Sequence, residues 1–208
     1  MLPELVESYA SASFIDIPKE QFSATPGVAE RPVDRHSGVK HEKHMQYYAA
    51  AIAIDREVGR ILDELDRLGE ADNTCVAYTS DHGLNAGHHG IREKGNATRP
   101  QNFFEESIRV PCTIAWPAGK MPENRSDHSV FNHCDLFATL QDVAGVAPNA
   151  ATTAAINSPG RSHLAALQGL TAQAAQKPVI CKYGNARMIH AKPETCSRAP
   201  SMLLTSCT

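Results

Sequence analysis

The 208-residue sequence has no Cys-x-x-Cys pair, no strong net charge, no long apolar run and no internal repeat. Each absence removes a class of protein. The six cysteines, Cys75, Cys112, Cys134, Cys181, Cys196 and Cys207, are scattered, which argues against a zinc ribbon. Their density at this chain length also argues against a disulfide framework. A net charge of −3 leaves no electrostatic footprint for nucleic acid, so no nucleic-acid partner is expected. No apolar segment approaches the roughly 20 residues that span a bilayer. The opening residues, Met-Leu-Pro-Glu-Leu-Val-Glu, have neither a basic nor an apolar signal region, so no secretory signal is expected there. What is present is an ordinary mixture of apolar and charged residues, enough for one domain with a core.

Residues 1–38 carry Pro3, Pro18, Pro26 and Pro32 and show no sustained periodicity, so they read as an extended connector with little regular structure. The pattern then becomes helical. Ile54, Val58, Ile61, Leu65 and Leu68 step by four and three, and Tyr47 and Ala51 extend the stripe backwards. Gly69 is well placed as the stop. A strand is expected over residues 74–80, one helical turn over 103–108 and a second buried strand over 110–116. Cys75 and Cys112 lie within these apolar runs and read as small buried hydrophobes. A helix is expected over residues 135–143 and another short one within 160–169. Strands at 179–183 and 187–189 flank the hairpin signal Gly184-Asn185. Residues 148–159 read as an Ala/Thr-rich linker, and residues 191–208 have no interpretable pattern.

Chemistry concentrates in residues 73–94. A short apolar run ends at Thr79-Ser80 and is followed at once by Asp81, His82 and Gly83, then His88, His89 and Lys94. Helix, turn and apolar strand form half of a βαβ unit, and open α/β sheets bind ligands at the carboxyl ends of their strands. Gly83 lets the backbone turn sharply there. A carboxylate oxygen and an imidazole nitrogen suit a divalent cation such as Ca²⁺, Mn²⁺ or Zn²⁺, though two ligands do not complete a site. Lys94 is a compact ammonium that would bind an anionic group.

The run Thr79-Ser80-Asp81-His82-Gly83, then Gly87-His88-His89-Gly90 and Lys94, then Glu105-Glu106-Ser107-Ile108-Arg109-Val110-Pro111, resembles the sulfatase family of the alkaline phosphatase superfamily. Tyr47-Tyr48-Ala49-Ala50 through Leu65 is similar to the family's long helix before this strand. Residues 135–145 are similar to its later helix, with Ala138 in place of the usual proline. Gly160-Arg161-Ser162 and Tyr183-Gly184-Asn185 continue the match, which covers roughly residues 1–190.

The resemblance implies part of an alkaline-phosphatase-like α/β/α sandwich with a mostly parallel central sheet, the N-terminal half missing. Residues 39–147 would be the C-terminal part of the catalytic domain, and 148–208 a linker and the start of a small C-terminal subdomain. Asp81 and His82 match metal ligands, with Ca²⁺ the expected metal and Mn²⁺ or Mg²⁺ the alternatives. His82 stands where many members have asparagine. Lys94 matches the sulfate-contacting lysine. His89 is a further candidate substrate contact, and His88 and His89 otherwise read as support for the loop. The family nucleophile is a formylglycine made in a Cys/Ser-x-Pro-x-Arg motif, which no cysteine or serine here satisfies; Cys196-Ser197-Arg198-Ala199-Pro200 has the residue types in the wrong order. The expectation is therefore a sulfuric ester hydrolase fragment, inactive alone. Its partners would be a saccharide or small-molecule sulfate ester and the missing N-terminal half. A phosphonate or phosphate ester hydrolase of the same superfamily, or a catalytically inactive fragment, is the alternative. Localisation is left open, since relatives are often exported.

Overall fold

The computed structural model describes residues 3–15, 17, 29–30, 40–91, 93–99, 101–146, 158–170, 178–184 and 186–190. The expected linker, apart from Ser158 and Pro159, and the irregular tail over 191–208 with Cys196 and Cys207 lie outside them, as does Asn185.

Helix α2, Lys40–Leu68, is proline-free with a single internal glycine, and it spans the length that the periodicity predicts. It ends as its sequence demands. Gly69 takes φ +72, a left-handed conformation that glycine adopts without a Cβ penalty. Its N–H then donates to Asp66 and the N–H of Glu70 donates to Leu65, both at 3.0 Å, closing the terminal carbonyls. Residues 1–38 are not wholly irregular. Pro3–Glu7 forms a short helix, α1, with proline at its first position, where no donor is needed. α1 packs against α2, burying Leu5 and Ala49. Beside them Phe14 and Tyr48 approach to 5.1 Å between ring centroids, and Tyr9 and Tyr48 to 5.6 Å.

Among the described residues, the rest of the α2 stripe is only partly covered: Val58 and Leu65 are half-buried. Ile54, Ile61 and Leu68 are each at least 50% exposed. A five-residue helix has too little surface to cover a face nearly thirty residues long.

The strands expected over 74–80 and 110–116 are shorter than expected, while the one at 179–183 has its expected bounds and the one expected at 187–189 is longer. β1, Ala29–Glu30, pairs antiparallel with β3, Thr98–Arg99. β2, Val76–Thr79, pairs with β4, Cys112–Ala115, and β5, Val179–Tyr183, with β6, Ala186–His190. The expected burial of β2 and β4 is not found: Ala77, Tyr78, Cys112, Thr113 and Ala115 are exposed. Among the described residues, the two paired strands have no further strand neighbour, so they stay half open. Cys75 is half-buried and Cys112 exposed, which corrects their reading as fully buried hydrophobes. Loss of water around each sulfur still pushes both thiols up.

The turn predicted before β4 is α3, Glu105–Ile108. The chain divides into two compact units, one formed by residues 1–71, 78–113 and 183–186, the other by 72–77, 114–182 and 187–208. In the second unit, α4, His133–Val143, starts from a reciprocal cap. The Asn132 side chain accepts from the N–H groups of Cys134 and Asp135, and Asp135 accepts from the N–H of Asn132. Asp135 is also fully buried and accepts from the N–H of Arg161 at 2.8 Å. Thr139 accepts from the N–H of His163, so α4 holds the segment that enters α5, Leu164–Leu167.

Replacing Asn132 with alanine removes two acceptor contacts at once. The expected loss is about 1 kcal/mol of unfolding free energy, read as a lower urea midpoint with an unchanged slope.

Candidate metal and anion site

β2 ends at Thr79, and the chain then turns abruptly because Gly83 packs on α3. Its N–H donates to the Ser107 carbonyl at 3.0 Å. A Cβ at Gly83 would stand 2.0 Å from the Glu106 carbonyl oxygen, a contact no side chain can make. The close approach therefore requires glycine, as the sequence suggests.

This turn presents Asp81 and His82 to solvent. The Asp81 carboxylate accepts through Oδ1 from the N–H of His82 at 2.9 Å, which leaves Oδ2 forward. Partial loss of water works to raise the Asp81 carboxyl. The hydrogen bonds from the backbone N–H of His82 and from the Ser80 hydroxyl help to outweigh it and hold the group below its ordinary value.

His82 Nδ1 lies 3.1 Å from the Gly83 carbonyl, and Nε2 lies 2.6 Å from Lys94 Nζ. A carbonyl only accepts and an ammonium only donates. The pair of contacts therefore assigns the neutral ring with its proton on Nδ1 and a lone pair on Nε2. That lone pair and Asp81 Oδ2 are 3.4 Å apart.

The three residues singled out as metal-binding and anion-contacting are thus brought together, although Lys94 follows His82 by twelve positions. Two donors at this separation fit adjacent positions around one cation, whose oxygen ligands stand at about 2.3–2.6 Å. The Lys94 ammonium already presents a positive charge to the Nε2 lone pair. A divalent cation could therefore use this lone pair only after Lys94 moves off it, and the two donors would not complete its sphere. Among the described residues, no group of three or more His, Cys, Asp or Glu side chains is placed to hold a metal ion.

His89 serves the loop. Its backbone takes φ +55, its ring stacks on Phe104 at 3.9 Å between centroids, and its Nε2 lies 3.0 Å from Glu106 Oε2. His88 Nδ1 reaches the other oxygen, Oε1, at 3.3 Å. One carboxylate thus ties down two consecutive histidines. Nothing local in the sequence announces this pairing of His89 with Glu106 across 17 positions.

A second group went unread. Asn85, Asn102 and Ser107 are buried and joined by hydrogen bonds beneath the loop. Asparagine in a glycine-rich loop reads as a solvated turn residue, so composition gave no signal of burial.

The comparisons with known proteins agree in direction. A model of the sulfatase family matches residues 9–146. An N-acetylglucosamine-6-O-sulfatase of Bacteroides thetaiotaomicron is 33% identical over 108 residues, covering 51% of this chain and 18% of that protein. A solved structure of an enzyme in complex with its substrate, D-glucosamine-2-N,6-O-disulfate, is similar with a TM-score of 0.61 at 25% identity. It covers 73% of this chain and 30% of the other. A phosphonate monoester hydrolase of Agrobacterium radiobacter is similar with a TM-score of 0.58 at 25% identity, over 71% of this chain and 27% of that one. The chain therefore spans less than a third of the length of these relatives.

Burial works to raise the Glu106 carboxyl, but its own backbone N–H, the His89 hydrogen bond and the histidine charges outweigh it and hold the group below its ordinary value. A depressed carboxyl stabilises the fold fully above the unfolded glutamate value of about 4.3, and this contribution is lost as pH falls through the depressed value. Glu106→Gln should flatten that acid limb in urea midpoints measured from about pH 6 to pH 3. An acid limb identical to wild type would show that Glu106 contributes nothing there.

Proposed function

Because the chain belongs to the sulfatase family, we propose that it carries part of the active site of a sulfuric ester hydrolase. Its fold is of the alkaline-phosphatase-like α/β class. The observation that carries the proposal is the convergence of Asp81, His82 and Lys94 at the end of β2, two donors and one cation where the family motif stands.

Asp81 Oδ2 and His82 Nε2 would hold one divalent cation, Ca²⁺ first and Mn²⁺ or Mg²⁺ as alternatives, with the remaining ligands from outside this set. The bound cation would polarise the sulfate. Gly83 fixes the chain direction so that both donors face the same way. The Nδ1–H bond to Gly83 holds the His82 ring in the tautomer a ligand needs. Lys94 would leave His82 to meet the sulfate, offsetting the negative charge that builds on its non-bridging oxygens. The implied nucleophile is a hydrated formylglycine, and no Cys/Ser-x-Pro-x-Arg motif in this sequence supplies it. His89 is held by Glu106 and Phe104 and would at most line the approach to Lys94.

The substrate would be a sulfated saccharide or another small sulfate ester, in keeping with the sulfated glucosamine substrate of the solved relative. A polypeptide carrying the part of the relatives' length that this chain does not span would be the natural structural partner. The similarity to a phosphonate monoester hydrolase favours one second reading, a phosphonate or phosphate ester as substrate. Competition between sulfate and inorganic phosphate for the Ca²⁺-loaded chain separates the two, since the tighter ion names the substrate class.

Two outcomes follow. The 208-residue chain alone, supplied with Ca²⁺ and a chromogenic sulfate ester, should show no turnover, and hydrolysis that disappears in Asp81→Ala would refute this. Titration calorimetry should detect weak Ca²⁺ or Mn²⁺ binding that Asp81→Ala lowers by about tenfold or more. Equal binding by the two proteins would mean that the metal site is vestigial.

A further inference from the structure

The two peptide carbonyls that flank Lys94 are both held, and by the same buried group. Asn85 directs its backbone N–H at 3.1 Å and its side-chain Nδ2 at 2.6 Å onto the carbonyl of Glu93, the residue before Lys94. Asn102 donates its backbone N–H at 2.9 Å to the carbonyl of Gly95, the residue after it. Ser107 joins these two arms: its hydroxyl accepts from Asn85 Nδ2 at 2.9 Å and donates to Asn102 Oδ1 at 2.9 Å. The Ser107 carbonyl, in turn, accepts from the N–H of Gly83, which follows His82 directly.

We propose that Ser107 is a positioning residue that sets Lys94 against His82, acting through Asn85 on one side of the lysine and Asn102 on the other. This rests on the reading of Lys94 as the anion-contacting residue.

The physical argument lies in burial and connectivity. Asn85 is 0% exposed, Ser107 4% and Asn102 9%, while His82 lies in solvent and Lys94 is half-buried. A lysine on a mobile loop would spread its ammonium over many positions, since its side chain carries about 2 kcal/mol of rotamer entropy before the backbone is counted. Fixing the Glu93–Lys94 peptide on one side and the carbonyl of Gly95 on the other, with the Lys94 carbonyl itself accepting from the Ala97 N–H at 2.9 Å, removes the backbone share of that freedom. Low local dielectric strengthens each of these buried bonds and makes a broken one expensive, so the group holds or fails as a unit. Packing supports the same end. A Cβ at Gly95 would stand 2.8 Å from the Asn102 carbonyl oxygen and 3.2 Å from the Tyr183 ring, so Lys94 is followed by a residue that only glycine fits. Asn85 Oδ1 is the one polar atom of the group left without a hydrogen bond among the described residues. Turning the amide to satisfy it would set oxygen against the Glu93 carbonyl, which fixes the amide orientation.

Ser107 therefore governs a distance between functional groups that it does not touch. It is tied to the His82 side through its carbonyl and to the Lys94 side through its hydroxyl. Loss of the hydroxyl should leave the first tie intact and release the second.

The test uses the whole 208-residue chain, free of metal and sulfate, at one fixed pH above neutrality. Long-range ¹H–¹⁵N spectra report the His82 tautomer. Wild type should show Nδ1–H with an Nε2 resonance shifted by its hydrogen bond from Lys94. Lys94→Ala should abolish that Nε2 shift, which is the signature followed, while Nδ1–H stays on Gly83. Ser107→Ala should lose the shift as well, while Ser107→Thr, which keeps the hydroxyl, should restore it. A role in packing alone would lower Tm in Ser107→Ala without changing the His82 signature. An unchanged signature in a folded Ser107→Ala protein would overturn the proposal. Where Ser107→Ala does not fold, amide exchange in wild type decides. The N–H groups of Asn85 and Asn102 should exchange at least tenfold more slowly than those of Glu123 and Asn124 in the exposed turn at 123–124. Equal rates would overturn the proposal.

Sulfate titration into the Ca²⁺-loaded protein separates this inference from the functional reading. Ser107→Ala should weaken sulfate by roughly tenfold or more, the range of one charge-assisted hydrogen bond. Should wild type bind no sulfate, the anion role of Lys94 falls, while the metal-free Nε2 result still decides the role of Ser107.

Discussion

The hydrogen bond from the Gly83 N–H to the Ser107 carbonyl is the constraint on which the site depends. It docks the end of β2 onto α3 so closely that only glycine fits, and thereby fixes the direction in which Asp81 and His82 leave the strand. It also closes the loop over residues 83–107. A loop of that length pays a closure entropy that grows only slowly with its size, but every buried backbone group within it still needs a partner. Here those partners are mainly polar. Among the described residues, apart from Ile91 and Ala97, the buried side chains under the loop are Asn85, Thr98, Asn102 and Ser107. The loop is ordered by hydrogen bonds where most cores rely on hydrocarbon, and such a core has little tolerance for substitution, because each member satisfies another.

That architecture suits an electrostatic site. Asp81 and His82 stand in solvent, where charges are screened and single contacts are weak. Chemistry at such a place requires geometry fixed from beneath, since the groups themselves have little mutual attraction to hold them. The loop supplies this twice. Asn85, Ser107 and Asn102 hold the Lys94 side, and Glu106 holds His88 and His89. The two anchors are adjacent residues of one short helix with opposite environments. Ser107 turns into the buried network, and Glu106 faces the histidines at the loop surface.

Much of this was legible in the sequence, and the boundary is physical. α2 could be read because a period of 3.6 persists over about six turns from Tyr47 to Leu68 and Gly69 supplies an unambiguous stop. That Asp81, His82 and Lys94 come together could be anticipated because they sit in one motif that resembles the family's, within fourteen residues of one another. The Asn85–Ser107–Asn102 network could not be read, since its bonds cross 22 and 5 positions and its members are residue types that ordinarily face water. The burial of β2 and β4 was misjudged for a related reason. An apolar run reports what a strand would bury in a full sheet, whereas the described residues give each strand a single neighbour. The helix at Pro3–Glu7 was missed because five residues are too few to establish a period.

On the proposed reading, the uncovered face of α2 and the two-donor cation site express the same property. Ile54, Ile61 and Leu68 stand in water, where fully burying each would gain roughly 1.5–3 kcal/mol. Asp81 and His82 offer two donors where a calcium ion takes six to eight oxygen ligands, as an order-of-magnitude guide. In both places the groups are arranged correctly for a partner that the described residues do not supply. The polar loop core differs, because its hydrogen bonds close among its own members. On the proposed reading, positioning of the anion-contacting lysine is therefore intrinsic to this stretch of chain, while cation affinity and the burial of α2 depend on further protein. That division makes Lys94 the component of the site that this chain organises independently, and the metal the component it can only share.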